Sequence, residues 1–182
     1  MEETAARIVP NILSLAGVDP SGGAGLLADI KTISALGGYA CGAVTALTVQ
    51  NTRGVSGVRI MSGDFVSAQM ESVLSDIRID AVKIGMLGNC EVIEAAAGIL
   101  RDHPVKHVVL DTILASTSGT PLLEPEAVGV LIRKLLPLCT VFTPNLPEAA
   151  ICLGMKPRRT KAAWRIRPAD SGILRDAAQR SI

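Results

Sequence analysis

Short apolar segments alternate with amphipathic segments along most of the chain, and this alternation restricts the fold more than any other feature. NILSLAG (11–17), GAVTALTVQ (42–50) and HVVLDT (107–112) are typical of buried strands. Between them, apolar residues recur at helical spacing in 26–36 and 91–101. Strands that are apolar on both faces and separated by helices indicate a parallel sheet covered on both sides. We therefore predict a three-layer α/β/α domain with a mostly parallel sheet of five or six strands.

The remaining segments fit the same architecture. Aromatic residues make up only 2% of the chain, so its core must be built from aliphatic side chains. Further strands are expected at VSGVRI (55–60), DAVKIGML (80–87) and TVFT (140–143), and further helices from Asp64, at 126–136 and at 146–153.

Polar and glycine residues follow several of the expected strands. Because ligands of such sheets bind at the carboxyl ends of the strands, these residues share one candidate site. They are Gly17-Val18-Asp19, Gln50-Asn51, Gly85-Met86, Asp111-Thr112 and Thr143-Pro144-Asn145.

A glycine-rich loop, Gly17 to Gly25, joins the first strand to the first helix, where glycines bring backbone close to a partner. It is not a P-loop, because Gly23 stands where the lysine belongs. A dinucleotide site needs an acidic residue after the next strand, and that strand ends in neutral Gln50. A glutamine amide suits the edge of a neutral heterocycle, although Gln50 as a cap on strand-end backbone remains an open alternative.

Charge and cysteine spacing restrict the classes of protein to which the chain can belong. The four cysteines show no CxxC spacing, and no apolar run reaches the roughly 18 residues of a membrane span. The first residues carry two glutamates where a signal peptide would be basic. We therefore expect a cytoplasmic protein with reduced thiols and no membrane partner.

Four stretches together resemble one family: AGVDPSGGAGLLADIKTISALGGYACGAVTALTVQNTRGV, VKIGML, VVLDT and TPNLPEA. They are similar to the hydroxymethylpyrimidine and phosphomethylpyrimidine kinases of thiamine biosynthesis, in the ribokinase-like superfamily. The resemblance covers 8–154 and implies ATP-dependent phosphorylation of 4-amino-5-hydroxymethyl-2-methylpyrimidine and then of its monophosphate. It further implies ATP and Mg²⁺ as cofactors. A vitamin B6 kinase of the pyridoxine type, from the same superfamily, stays open.

The resemblance places a pyrimidine under the glycine-rich loop. Gly17 and Asp19 would line the ring, Gln50 would hydrogen-bond its aminopyrimidine edge, and Met86 would pack against it. From the residues alone, a methionine such as Met86 is more often a core side chain than a ligand contact.

The same resemblance places three residues on the nucleotide and phosphate side. Asp111 and Asn145 would face the ATP phosphates, and Glu148 would hold Mg²⁺ through water, in keeping with the preference of Mg²⁺ for carboxylate, water and phosphate oxygens. Their alternatives are structural. Asp111 would then cap a turn or helix, and Asn145 with Glu148 would form a helix cap with its first-turn acid.

The chain departs from the family after Gly154. The family's late GTGC turn, whose backbone amides hold the transferring phosphoryl group and whose cysteine is its proposed base, does not occur here, so no catalytic base is assigned. We expect 1–154 to be the N-terminal portion of a C-terminally truncated ribokinase-like domain. Residues 155–182, with eight basic and two acidic residues, are expected to be a divergent tail, frameshifted or disordered.

These departures leave a second hypothesis and several expectations about partners. A catalytically inactive fragment that still binds the pyrimidine is the alternative to an active kinase. Basic runs are usually solvated, so we expect no nucleic-acid partner, although a tail with Trp164 keeps that alternative open. Uncovered sheet edges predict a homodimer or poor solubility.

Overall fold

The computed structural model describes residues 9–114 and 121–155. Within these ranges six strands form one sheet. They are β1 (Asn11–Val18), β2 (Tyr39–Asn51), β3 (Gly54–Ile60), β4 (Ala81–Ile84), β5 (His107–Leu110) and β6 (Val141–Phe142).

Five α-helices connect or follow these strands: α1 (Gly25–Ala35), α2 (Gly63–Leu74), α3 (Cys90–Asp102), α4 (Pro125–Val130) and α5 (Leu146–Cys152). Side-chain caps begin α2 and α3, where Ser62 accepts from the backbone N–H of Phe65 and Asn89 from that of Val92. In the described part of the chain, no helix combines the length and the apolar character that crossing a bilayer requires.

The strand order is β3-β2-β1-β4-β5-β6. All neighbouring strands run parallel except β3, which pairs antiparallel with β2 at one edge. The register shifts once between Ala16 and Gly17, opposite β2, and once between Val49 and Gln50, opposite β3. Both irregularities lie at the carboxyl ends of their strands, which bends the chain there.

The two faces of the sheet are covered differently. Leu13, Leu15, Val82 and Ile84 are fully buried on the face that packs against α2 and α3. The intervening residues Ser14 and Lys83 point to the opposite face, because successive side chains alternate across a strand. Helix α1 covers that second face over β1 and β2.

The fold is the predicted three-layer α/β/α arrangement with a mostly parallel sheet. The predicted helix 126–136 is wrong as one continuous element, because α4 continues as a π-helical turn (Leu131–Leu135) and a 3-10 turn (Leu136–Leu138). Pro137 removes a backbone donor there and cannot continue a regular helix. Strand β4 is also shorter than the segment 80–87. Beyond Met155, the expected divergent tail lies outside the described residues.

Candidate functional site

An open cavity of about 270 Å³ lies at the carboxyl ends of the central strands. Four polar side chains face an otherwise apolar lining, the usual composition of a small-molecule site. Its volume suits a single heterocycle. The cavity is lined by Gly17, Asp19, Ala24, Gly25, Thr48, Gln50, Val55, Met86, Ile113, Leu122 and Glu148.

The glycine-rich loop forms one wall of this cavity through a close backbone approach. Gly25 has φ +58° and bridges to Val18, and a Cβ on Gly25 would lie 2.1 Å from the carbonyl oxygen of Gly17. Gly22 also has a positive φ of +72°. Only glycine adopts such conformations without strain, which explains why the loop could be recognised from the sequence.

Asp19 holds the loop together from inside. It is 4% exposed, and its carboxylate accepts hydrogen bonds from the backbone N–H of Ser21 at 2.8 Å and of Gly23 at 3.2 Å, and from the Ser21 hydroxyl. Burial alone would raise the pKa of Asp19, but these bonds and one from the Ala24 N–H outweigh it and lower the pKa below the ordinary value. Asp19 therefore lines the cavity as a carboxylate committed to loop structure.

Gln50 reaches the cavity from the end of β2. The Thr48 hydroxyl lies 3.1 Å from the Gln50 Oε1 and 2.9 Å from the carbonyl oxygen of Val18, so these two acceptors share the single proton of that hydroxyl. Among the described residues the Gln50 Nε2 finds no hydrogen-bond partner. In the part of the chain that the structure describes, the Gln50 side chain contacts the Thr48 side chain and caps no backbone group, and Gln50 is one of the residues that line the cavity.

Met86 and Gly17 meet at the floor of the cavity. Met86 is 6% exposed, and a Cβ on Gly17 would lie 3.1 Å from its sulfur. The Thr45 hydroxyl donates to the Met86 carbonyl and fixes the backbone there. A glycine at position 17 thus leaves room for the thioether beside the cavity.

Glu148 lies across the cavity from Gln50, at the start of α5. Asn145 and Glu148 form a capping box, in which each side chain accepts from the other residue's backbone N–H at 2.9 Å. The second carboxylate oxygen of Glu148 accepts from the Leu114 N–H at 3.4 Å. Asn145 therefore has the structural capping role that the sequence left open, while Glu148 is buried and still borders the cavity.

Asp111 lies outside the cavity lining. Its side chain is 45% exposed, 3.7 Å from the ammonium of Lys83 and 3.5 Å from the hydroxyl of Thr143. Within residues 9–114 and 121–155 it accepts no helix-capping hydrogen bond and is not among the residues that line the cavity. The site residues predicted from the sequence thus fall into two groups. Asp111 and Asn145 lie outside the cavity lining, and the others line the cavity: Gly17, Asp19, Gln50, Met86 and Glu148.

The side chains at the cavity fit Mg²⁺ only if water and phosphate oxygens supply most of its ligands. Within residues 9–114 and 121–155, no three histidine, cysteine, aspartate or glutamate side chains cluster as metal ligands. Mg²⁺ usually binds one or two carboxylates together with water and phosphate oxygens. Each carboxylate oxygen of Glu148 accepts one backbone N–H and keeps a further lone pair, so this residue is suited to a water-mediated contact.

Four residues that line the cavity were not predicted from the sequence: Thr48, Val55, Ile113 and Leu122. Thr48 could have been found, because it precedes Gln50 by two residues and side chains alternate along a strand. Val55 faces Gln50 only through the antiparallel pairing of β2 with β3. Nothing in the local pattern marks Ile113 or Leu122.

Comparison with known proteins shows similarity to one family of kinases, both in a family model and in a curated relative. The family model described as phosphomethylpyrimidine kinase matches residues 19–179. The hydroxymethylpyrimidine/phosphomethylpyrimidine kinase of Escherichia coli (strain K12) is 53% identical over 151 residues, which is 83% of this chain and 57% of that protein. The chain thus spans little more than half of this curated relative.

Solved structures agree with this similarity. The crystal structure of phosphomethylpyrimidine kinase from Clostridium difficile 630 is 38% identical, with a TM-score of 0.78 over 94% of this chain and 71% of that one. Pyridoxal kinase from Staphylococcus aureus in complex with pyridoxal is 31% identical, with a TM-score of 0.76 over 93% and 61%. The family match also continues past Gly154, so it includes most of the segment that we expected to diverge.

Proposed function

The chain belongs to the phosphomethylpyrimidine kinase family, and on that premise we propose that its cavity binds 4-amino-5-hydroxymethyl-2-methylpyrimidine for phosphorylation by ATP. In the proposed step, the hydroxymethyl oxygen bonds to the γ-phosphorus of ATP, the bond from that phosphorus to the β-phosphate oxygen breaks with its electron pair staying on ADP, and the hydroxyl proton passes to water. A second transfer onto the monophosphate would give the pyrophosphate. ADP is the other product each time.

The observation that carries this proposal is the position of Gln50. Gln50 lines a cavity of single-ring size together with residues of the adjacent glycine-rich loop. An amide offers both a donor and an acceptor, which matches an amino group beside a ring nitrogen. In this proposal Gly17 and Asp19 line the ring, and Met86 packs on its face.

On the phosphate side we assign proposed roles to Asp111, Asn145 and Glu148. Asp111 faces the ATP phosphates, Asn145 holds α5 in place through the capping box, and Glu148 contacts Mg²⁺ through water. When bound, Mg²⁺ would neutralise charge on the phosphate oxygens, and phosphoryl transfer depends mostly on such stabilisation and on positioning. The buried Glu148 carboxylate borders both the cavity and this side.

The test is calorimetric titration of the full chain with hydroxymethylpyrimidine, beside an ATP-consumption assay. Gln50→Ala removes the ring-edge hydrogen bonds, and we expect about tenfold weaker pyrimidine binding. Val49→Ala is the matched control, because Val49 is the neighbouring residue, 65% exposed and outside the cavity lining. Unchanged affinity in Gln50→Ala would overturn the proposed ring orientation. Heat without ATP consumption would indicate the alternative of binding without turnover.

A vitamin B6 ring is the second candidate substrate. The likeness to pyridoxal kinase from Staphylococcus aureus in complex with pyridoxal favours testing it. Parallel titrations with pyridoxine and with hydroxymethylpyrimidine compare the two rings directly. If pyridoxine binds more tightly than hydroxymethylpyrimidine, pyridoxine becomes the proposed substrate.

We also propose a cytoplasmic location. All four cysteines are free, and burial raises the pKa of Cys139 to about 12 and of Cys152 to about 11. Thiols in this state are inert and fit a reducing compartment. Fractionation of cells that express the chain checks this expectation.

A further inference from the structure

A charged cluster lies beneath helix α1, on the face of the sheet opposite the aliphatic core. Ser14 of β1 and Lys83 of β4 are register partners in the parallel sheet, so their side chains emerge side by side on this face. Helix α1 brings Asp29 onto them, and Asp111 follows the neighbouring strand β5. Neither Lys83 nor Asp29 lines the cavity.

The ammonium of Lys83 contacts both carboxylates. Its Nζ lies 3.0 Å from Oδ2 of Asp29 and 3.7 Å from Oδ2 of Asp111. Ser14, which is fully buried, donates to the same Oδ2 of Asp29 at 2.7 Å. Asp29 is therefore held by two donors, and the lysine side chain extends from it towards the more exposed Asp111.

The three side chains form a gradient of exposure from the interior to the rim. Asp29 is 19% exposed, Lys83 is 23% exposed and Asp111 is 45% exposed. The other Asp111 oxygen lies 3.5 Å from the Thr143 hydroxyl. Asp111 thus lies between β4 and β6, and Lys83 links it to α1, the helix whose first residue, Gly25, lines the cavity.

We propose that Lys83 is a positioning residue, which holds the Asp111 carboxylate in a fixed place relative to the cavity through its contact with Asp29. The inference rests on the proposed function, in which Asp111 faces the ATP phosphates. Without the ammonium, two carboxylates lose their shared counter-charge and repel each other, and Asp111 turns towards solvent. Nucleotide binding should weaken, whereas the pyrimidine cavity stays intact.

The experiment measures two affinities separately on the full chain. Titration with a non-hydrolysable ATP analogue in the presence of Mg²⁺ reports the phosphate side, and titration with hydroxymethylpyrimidine reports the cavity. Lys83→Met should weaken nucleotide binding about tenfold, the lower end of the losses seen when a residue that orients a metal ligand is removed. Pyrimidine affinity should not change, and Lys83→Arg should restore most of the nucleotide affinity.

Two further variants separate positioning from folding. Lys106→Met removes an exposed lysine at the opposite end of β5 and should change neither affinity. The double variant Asp29→Asn with Lys83→Met also removes the uncompensated carboxylate. It should recover thermal stability lost in Lys83→Met and part of the nucleotide affinity, because the repulsion is removed while the ammonium that holds Asp111 is still absent.

The outcomes are distinguishable. Selective loss of nucleotide affinity supports the inference. Unchanged nucleotide affinity in Lys83→Met overturns it, and so does an equal loss of both affinities, which indicates a structural role only. If the unsubstituted chain binds neither ligand, the proposed function fails, and the inference fails with it.

Discussion

Asp19 shows how a single buried carboxylate couples the stability of the glycine-rich loop to pH. Its pKa in the folded chain lies below the ordinary value of 3.8, so the unfolded chain binds the proton more tightly. The stabilisation is therefore complete above pH 3.8 and is lost as the pH falls through the lower pKa of the folded state. The hydrogen bonds from Ser21 and Gly23 are the physical cause of this dependence.

We predict that Asp19→Asn lowers the free energy of unfolding by about 1–3 kcal/mol at neutral pH, because the part-buried hydrogen bond from the Gly23 N–H loses its charged acceptor. The variant should also lose less stability than the parent chain when the pH is taken below 3.8. Urea unfolding at both pH values measures the two effects. Asp102→Asn, an exposed position at the end of α3, is the control, and an Asp19→Asn variant that behaved like it would contradict the prediction.

At the scale of elements, the β1–α1 connection depends on a close backbone approach and a positive φ at Gly25. We predict that Gly25→Ala lowers the free energy of unfolding by about 2–3 kcal/mol, since the φ is +58° and the new Cβ meets the Gly17 carbonyl oxygen at 2.1 Å. Gly98→Ala in α3 is the matched control, because its Cβ meets nothing within 4 Å. There alanine should stabilise the helix by about 0.5–1 kcal/mol.

Chemical unfolding of the two alanine variants measures this difference directly. We expect the free energy of unfolding to fall in Gly25→Ala and to rise in Gly98→Ala. A Gly25→Ala variant as stable as the parent would mean that the loop can relax away from the Gly17 carbonyl.

The elements with strong periodicity were predictable from the sequence, and the exceptions have local causes. Helix α3 and strands β1 and β5 lie close to their expected positions, because alternation and helical spacing depend on neighbouring residues only. The antiparallel direction of β3 could not be predicted, since it depends on which strand its backbone finds as a partner. The π-helical turn after α4 was also missed. The apolar residues keep helical spacing through it, but its backbone hydrogen bonds no longer follow the α-helical pattern.

The candidate site was predictable as far as strand ends and glycines mark it. Gly17, Gln50 and Met86 meet at one cavity, as expected from parallel strands whose carboxyl ends share an edge. The contact of Lys83 with Asp29 could not be found, because 54 residues separate the two and only the sheet register brings them together. The resemblance to a known family supplied the proposed ligand, which the geometry alone does not identify.

At the scale of the whole molecule, the β2–β3 edge presents an apolar surface to solvent. Val49 is 65% exposed and Leu47 is 48% exposed, and Gly57 lies opposite Val49 without a side chain to cover it. An exposed edge strand beside apolar residues favours pairing with another chain. The expected occupant is a second copy of this chain, in keeping with the homodimer anticipated from the sequence.

We predict that the chain associates into dimers through this surface and that Val49→Lys shifts the equilibrium to monomer, because each dimer would bury two ammonium groups against apolar side chains. Sedimentation velocity over a range of protein concentrations measures the shift. Leu36→Lys is the control, since Leu36 is 79% exposed but lies at the far end of α1, outside this surface. A parent chain that stays monomeric at every concentration would refute association through β2 and β3. Equal dissociation by both lysine variants would place the interface elsewhere.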